Sequence, residues 1–185
     1  MILLGCLTTG CSNQHPQLTI ARPEQTAPKP PVENPTDASL KRSVDQLLVV
    51  LDSGRPEAFP EFVSSDGLCL GVDCQSISVK QIKKEIQDKK GSYCQLFDSG
   101  CLHKQLSILW KKATQEQIRE VLSFRDILNT AAGKEVDIQR NGTVHVRIRY
   151  KEATNNASAG FRPEEMDLGF VKEGSNWKVS GMSAY

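Results

Sequence analysis

With 185 residues, 38% of them apolar and 24% charged, the chain has material for one packed domain and an appendage rather than for several domains. Its 23 Lys/Arg against 22 Asp/Glu give a net charge of +1, which excludes the strongly basic character of a dedicated nucleic-acid binder. No apolar run approaches the ~20 residues that a membrane-spanning helix needs.

The chain opens Met1-Ile2-Leu3-Leu4-Gly5-Cys6-Leu7-Thr8-Thr9-Gly10-Cys11-Ser12, with no charged side chain before Arg22. Apolar and small residues thus run into a glycine–cysteine step, which resembles the end of a bacterial lipoprotein signal peptide. The resemblance implies a diacylglycerol-modified thiol, cleavage before it, and a membrane partner reached through lipid in the cell envelope, facing the periplasm or exterior. Cysteine arithmetic favours Cys11, because cleavage there leaves four cysteines for the domain; Cys6, with Leu3 better placed before it, is the alternative. A signal peptide carries a charged n-region and about 7–15 apolar residues, so the reading frame is expected to start upstream. The competing reading is a short apolar N-terminus on a cytoplasmic protein.

Residues 12–37 hold six of the nine prolines (Pro16, Pro23, Pro28, Pro30, Pro31 and Pro35) and no hydrophobic periodicity. Such a segment buries too little apolar surface to offset its ordering entropy. It reads as an extended tether after residues 1–11, and residues 38–185 as the globular domain.

Within that domain, Leu40, Val44, Leu47, Leu48 and Leu51 mark one face of a helix over 38–53, which Gly54 and Pro56 end. Phe59, Phe62 and Val63 predict a short turn packed on the core, and Leu68–Val72 a short strand. Ser78 with Gln81 predicts a capping box, with Ile77 and Ile82 as its staple and Gly91 at the far end. The exposed side of this helix carries Lys80, Lys83, Lys84, Lys89 and Lys90. Tyr93–Phe97 predicts another strand; residues 116–131 predict one helix or two short ones.

The last third predicts antiparallel sheet. A two-residue Asn141-Gly142 turn would set apolar against polar on both faces. A bulged loop Arg140-Asn141-Gly142, with Gly142 left-handed, instead pairs Ile138 with Val144 and Val136 with Val146. A second hairpin crosses Glu173-Gly174-Ser175-Asn176 and brings Leu168 and Phe170 to Trp177 and Val179. Ala153–Pro163 is a small-residue loop.

Helices first and a meander last predict an α+β domain with N-terminal helices packed on a curved antiparallel sheet. The closing pattern Gly169-Phe170-Val171 through Asn176-Trp177-Lys178-Val179, preceded by the Asn141-Gly142 hairpin, resembles the cystatin-like or nuclear transport factor 2-like superfold over residues 39–185. That fold hosts enzymes, binding modules and assembly proteins alike. Its catalytic members place a carboxylate and often a histidine inside the cone.

Cys69, Cys74, Cys94 and Cys101 read as two disulfides in an oxidising compartment, local pairing being the simplest of three connectivities. Free thiols and a zinc site are the alternatives, the latter with knuckles wider than usual. His145 with Asp137 or Asp167 is the candidate acid–base pair, against an exposed strand histidine; His103 falls on an expected loop. No phosphate loop, H-E-x-x-H or acidic metal cluster occurs, so neither cofactor nor metal is expected. The basic segment 80–112, which includes Lys104, Trp110, Lys111 and Lys112, reads as a solvated face or as a contact for an anionic lipid, cell-wall polymer or envelope protein. A non-catalytic binding or assembly domain on a lipid anchor is the leading expectation. An envelope enzyme with an acid–base pair in a cone-like cavity is the alternative.

Overall fold

The computed structural model describes residues 35–72, 74–139, 141–150 and 163–185. The two N-terminal cysteines, the tether up to residue 34 and the loop 151–162 lie outside the described residues, and Glu33–Tyr185 forms one compact unit.

Helix α1, Pro35–Asp52, begins inside the segment assigned to the tether; proline is tolerated in a first turn because no intrahelical donor is needed there. Leu40, Val44, Leu47 and Leu51 are at most 2% exposed, which is the apolar stripe read from the sequence. Gly54, at φ +61°, turns the chain into a 3₁₀ segment, Pro56–Glu61. There Phe59 is fully buried and meets Phe97 edge-to-face at 5.8 Å. Strand β1 is two residues long, Cys69–Leu70.

Helix α2, Val79–Asp88, has Ser78 as its cap, the hydroxyl accepting from the Gln81 N–H. The reciprocal half of the expected box is not made, because the Gln81 amide donates to Glu85 at 2.8 Å. The helix closes on Lys89 in the left-handed region, where Gly91 was expected. Gly91 (φ +58°) instead caps α3, Ser92–Phe97.

Two expectations fail here. Tyr93–Phe97 is helical, not a strand: adjacent Leu96 and Phe97 are both buried, which a strand with one covered face cannot provide. His103 lies on helix α4, Ser99–Leu109, rather than on a loop; Asp98 caps it, accepting from the Cys101 N–H. Residues 116–131 resolve into two short helices, α5 (Gln115–Arg119) and α6 (Phe124–Thr130).

Strands β2 (Ala131–Ile138), β3 (Thr143–Tyr150), β4 (Glu165–Glu173) and β5 (Asn176–Ala184) complete the sheet in the order β1-β5-β4-β3-β2. All pairings are antiparallel except β1 on β5. The bulged hairpin has the expected register, Ile138 opposite Val144 and Val136 opposite Val146. Gly142 sits at φ +84°, and a Cβ there would stand 2.7 Å from the Phe170 carbonyl oxygen, so only glycine fits. The second hairpin forms between the expected segments, with Phe170 opposite Val179, but Glu173 pairs with Asn176, so its turn is Gly174-Ser175 rather than the four residues expected. Trp177 pairs with Lys172, and a bulge at Gly169/Phe170 moves Leu168 opposite Met182.

One face of this sheet is apolar. Val144, Val146, Ile148, Met166, Leu168, Phe170, Val179 and Met182 join α1, the 3₁₀ segment, α3 and α6 in a single buried cluster. The fold is therefore α+β, with the helices packed on one face of a mainly antiparallel sheet that bulges bend at two places. A smaller second cluster of Cys94, Leu102, Leu106 and Ile118 sits under α4 and α5.

Candidate functional site

Strand alternation that buries Val144, Val146 and Ile148 turns His145 and Arg147 to the opposite, open face. Register then decides what they meet. Asp137, His145, Asp167 and Ser183 occupy one row across β2, β3, β4 and β5; Glu135, Arg147 and Glu165 occupy the next. Each basic side chain thus stands between two carboxylate-bearing residues. Cross-strand pairs of opposite charge stabilise a sheet by about 0.2–1 kcal/mol.

His145 Nδ1 bonds the Asp167 carboxylate, both side chains being about a quarter exposed, 29% and 23%. Arg147 Nε donates to Glu165 Oε1 at 3.0 Å. That hydrogen bond and the Glu165 charge, with Glu135 and Asp137 adding, raise the guanidinium's pKa above its ordinary value. Around these groups lies a cleft of about 410 Å³ lined by Glu135, Asp137, Gln139, His145, Arg147 and Glu165.

The chemistry open to this arrangement is proton exchange at His145 and hydrogen bonding of a polar, mixed-charge surface. The His145–Asp167 pair of the sequence analysis is brought together; Asp137 is its register neighbour on the other side. The pair stands on the open face, whereas the resemblance implied a carboxylate and histidine inside a cone. The helix-covered side of the sheet is closed by the apolar cluster. Glu135, Arg147, Glu165 and Gln139 were not singled out from sequence. Their signal is legible only after the hairpin register is fixed, because it consists of opposite charges at facing positions.

The cysteines fall into two local pairs at disulfide-bonding distance, Cys69 with Cys74 (Cα–Cα 5.4 Å) and Cys94 with Cys101 (5.1 Å). Among the described residues no three His, Cys, Asp or Glu side chains converge to hold a metal ion, and no helix is long and apolar enough to cross a membrane.

Lys80, Lys83, Lys84, Lys89 and Lys90 are all exposed, but the face is not uniformly cationic. Asp88 accepts from Lys84 at 2.8 Å and from Lys90 at 2.9 Å, and these bonds pull its pKa down to about 2.

No protein-family model and no curated protein matches the chain. Among solved structures it is similar to an NTF2-like protein from Cytophaga hutchinsonii, at 12% identity and a TM-score of 0.37, over 82% of this chain and 97% of that one. It is also similar to an NTF2-like protein with a cystatin-like fold from Novosphingobium aromaticivorans, at 11% identity and a TM-score of 0.36, over 83% and 90%. At such identities no residue role transfers from these neighbours.

Proposed function

We propose that the chain is an envelope protein, lipid-anchored at Cys11, whose α+β domain is a non-catalytic binding module that uses the open face of β2–β4. The observation that carries the binding reading is the filled helix side of the sheet. Val144, Val146, Met166, Leu168 and Val179 have no exposed surface at all, which leaves no room there for a substrate. The polar groups converge instead on an open cleft, a geometry suited to a partner surface rather than to excluding water from a reaction. The Gly10-Cys11-Ser12 step, the proline-rich stretch behind it and two cysteine pairs at bonding distance support the envelope address.

The test is site-specific photo-crosslinking in cells of the native host, from Gln139 at the cleft rim. The reading expects a discrete crosslinked partner that is lost when Glu135 and Glu165 are both changed to Lys. No crosslink, or one indifferent to the charge reversal, overturns it. The enzyme reading retains one favouring observation, the His145–Asp167 pair, which orients the imidazole as a base would require. His145→Gln separates the two: a binder keeps its partner within a few-fold, whereas an enzyme loses its host phenotype while remaining folded.

A further inference from the structure

Seven large apolar side chains are conspicuously exposed among the described residues, and three of them are consecutive: Ile108 (72%), Leu109 (72%) and Trp110 (47%). They form the end of α4 and the turn that follows. We infer that the α4–α5 tip, Ile108–Lys112, is a wedge that docks the domain on an anionic lipid surface.

The tip is ordered by its own hydrogen bonds. The Trp110 N–H donates to the Leu106 carbonyl at 2.7 Å, and the Ala113 N–H to the Trp110 carbonyl at 2.9 Å. Thr114 then starts α5 with a complete capping box. Beneath lies the smaller apolar cluster, to which the Cys94–Cys101 pair belongs. Ile108, Leu109 and Trp110 are therefore presented by a braced turn, and nothing in the described fold covers them.

Charge selects the occupant. From Ser99 to Gln115 the chain carries Lys104, Lys111 and Lys112 and meets no carboxylate until Glu116 on α5, so the charged side chains nearest the apolar tip in sequence are cations. Tryptophan beside lysine is the composition that settles at a headgroup boundary, ring inward and ammonium outward. A protein interface buries about 800 Å² on each partner, more than a five-residue turn offers, whereas a bilayer is engaged by a few inserted side chains. The wedge shares no residue with the β2–β4 cleft and does not depend on the acyl chain. Together with an anchor it would fix the domain's orientation at the membrane, a two-signal attachment.

The experiment uses the full chain with Cys6→Ser and Cys11→Ser, so that no acyl group contributes. It is mixed with vesicles of phosphatidylcholine and phosphatidylglycerol in equal parts, or of phosphatidylcholine alone. Co-sedimentation with the anionic vesicles only is expected, with a blue shift of tryptophan emission that Trp110→Phe abolishes. Lys111→Gln and Lys112→Gln should each weaken binding about fivefold, and Ile108→Ser with Leu109→Ser together by roughly tenfold or more. An unchanged urea midpoint in each variant shows that the fold is intact. Equal sedimentation with neutral vesicles, or binding that survives the Ile108/Leu109 change, overturns the proposal. So does a dimer by light scattering that Leu109→Ser dissolves, which assigns the patch to a second copy. Because the acyl sites are removed, failure here leaves the anchor reading intact, and failure of the anchor reading leaves the wedge standing.

Discussion

Asp126 holds the start of α4 to the start of α6, and removing it tests the account of how the helices are tied together. Its Oδ2 accepts from Ser99 Oγ at 2.5 Å and from the Ser99 N–H at 3.2 Å. Ser99 Oγ accepts in turn from the Ser123 N–H at 2.8 Å, and Ser123, fully buried, caps α6. A hydrogen bond to a charged group contributes about 1.5–3 kcal/mol, and a carboxylate in the first helical turn adds a few tenths. The Asp126 side chain is 27% exposed, so screening trims this only modestly. Asp126→Ala should therefore cost about 2–3 kcal/mol in urea unfolding with an unchanged slope. Asp126→Asn, which keeps an acceptor, should cost about 1 kcal/mol.

The pH dependence follows from the sign of the shift. Burial pushes this carboxyl's pKa up, but hydrogen bonds from Ser99 and Ser123 and the Arg125 charge outweigh it and hold the pKa below 3.8. The ionised form is therefore the stabilising one. Its contribution is whole above 3.8 and is lost as the pH falls through the lower folded-state value. Between pH 5 and pH 2 (on the order of that window) wild type should lose more stability than Asp126→Asn does. Parallel acid curves, or an alanine variant within about 0.5 kcal/mol of wild type, would refute the reasoning.

Three further outcomes follow. Gly142→Ala forces a side chain into φ +84° and against the Phe170 carbonyl; urea unfolding should show a loss of about 1–3 kcal/mol. If Cys94 and Cys101 are bridged, the double serine variant should lose roughly 2–3 kcal/mol by the loop-entropy estimate; reducing agent should then shift the wild-type midpoint but not the variant's. The Asp88 carboxyl, resolved by NMR titration, should have its midpoint near 2, and Lys84→Met should raise it toward 3.8 by removing the first of its two donors.

The sheet was legible because its signals are local and redundant. Two-fold alternation over Val144–Ile148, the Asn141-Gly142 turn and the need to keep apolar side chains on one face leave a single sensible register. Helix α1 carries an equally regular stripe. Helices α3 and α4 were not legible for physical reasons. Tyr93-Cys94-Gln95-Leu96-Phe97 is a short, largely apolar run that reads equally as a strand or as a buried helical turn, and its helical form depends on contacts made from outside it. One of these is the Ser92 N–H donating to Glu85 Oε2 at 2.7 Å. In α4 only Leu102 and Leu106 face inward, too few to reveal a period; the Asp98 cap was the signal available. The candidate site was half visible. His145 is placed on the open face by alternation with Val144 and Val146, with Asp137 or Asp167 as its candidate partner, but the acid–base–acid rows exist only across strands, and Asp126 with Ser99 joins positions 27 residues apart.

The central claim is an envelope address with an acylated cysteine and an oxidised domain. The most direct test is intact mass spectrometry of the protein expressed from its native reading frame, extracted from envelopes in detergent without reducing agent. The account predicts a lipid-modified Cys11 at the mature N-terminus and a mass lowered by the hydrogens of two bridges, Cys69–Cys74 and Cys94–Cys101. An unmodified N-terminus with all of these thiols free would contradict it.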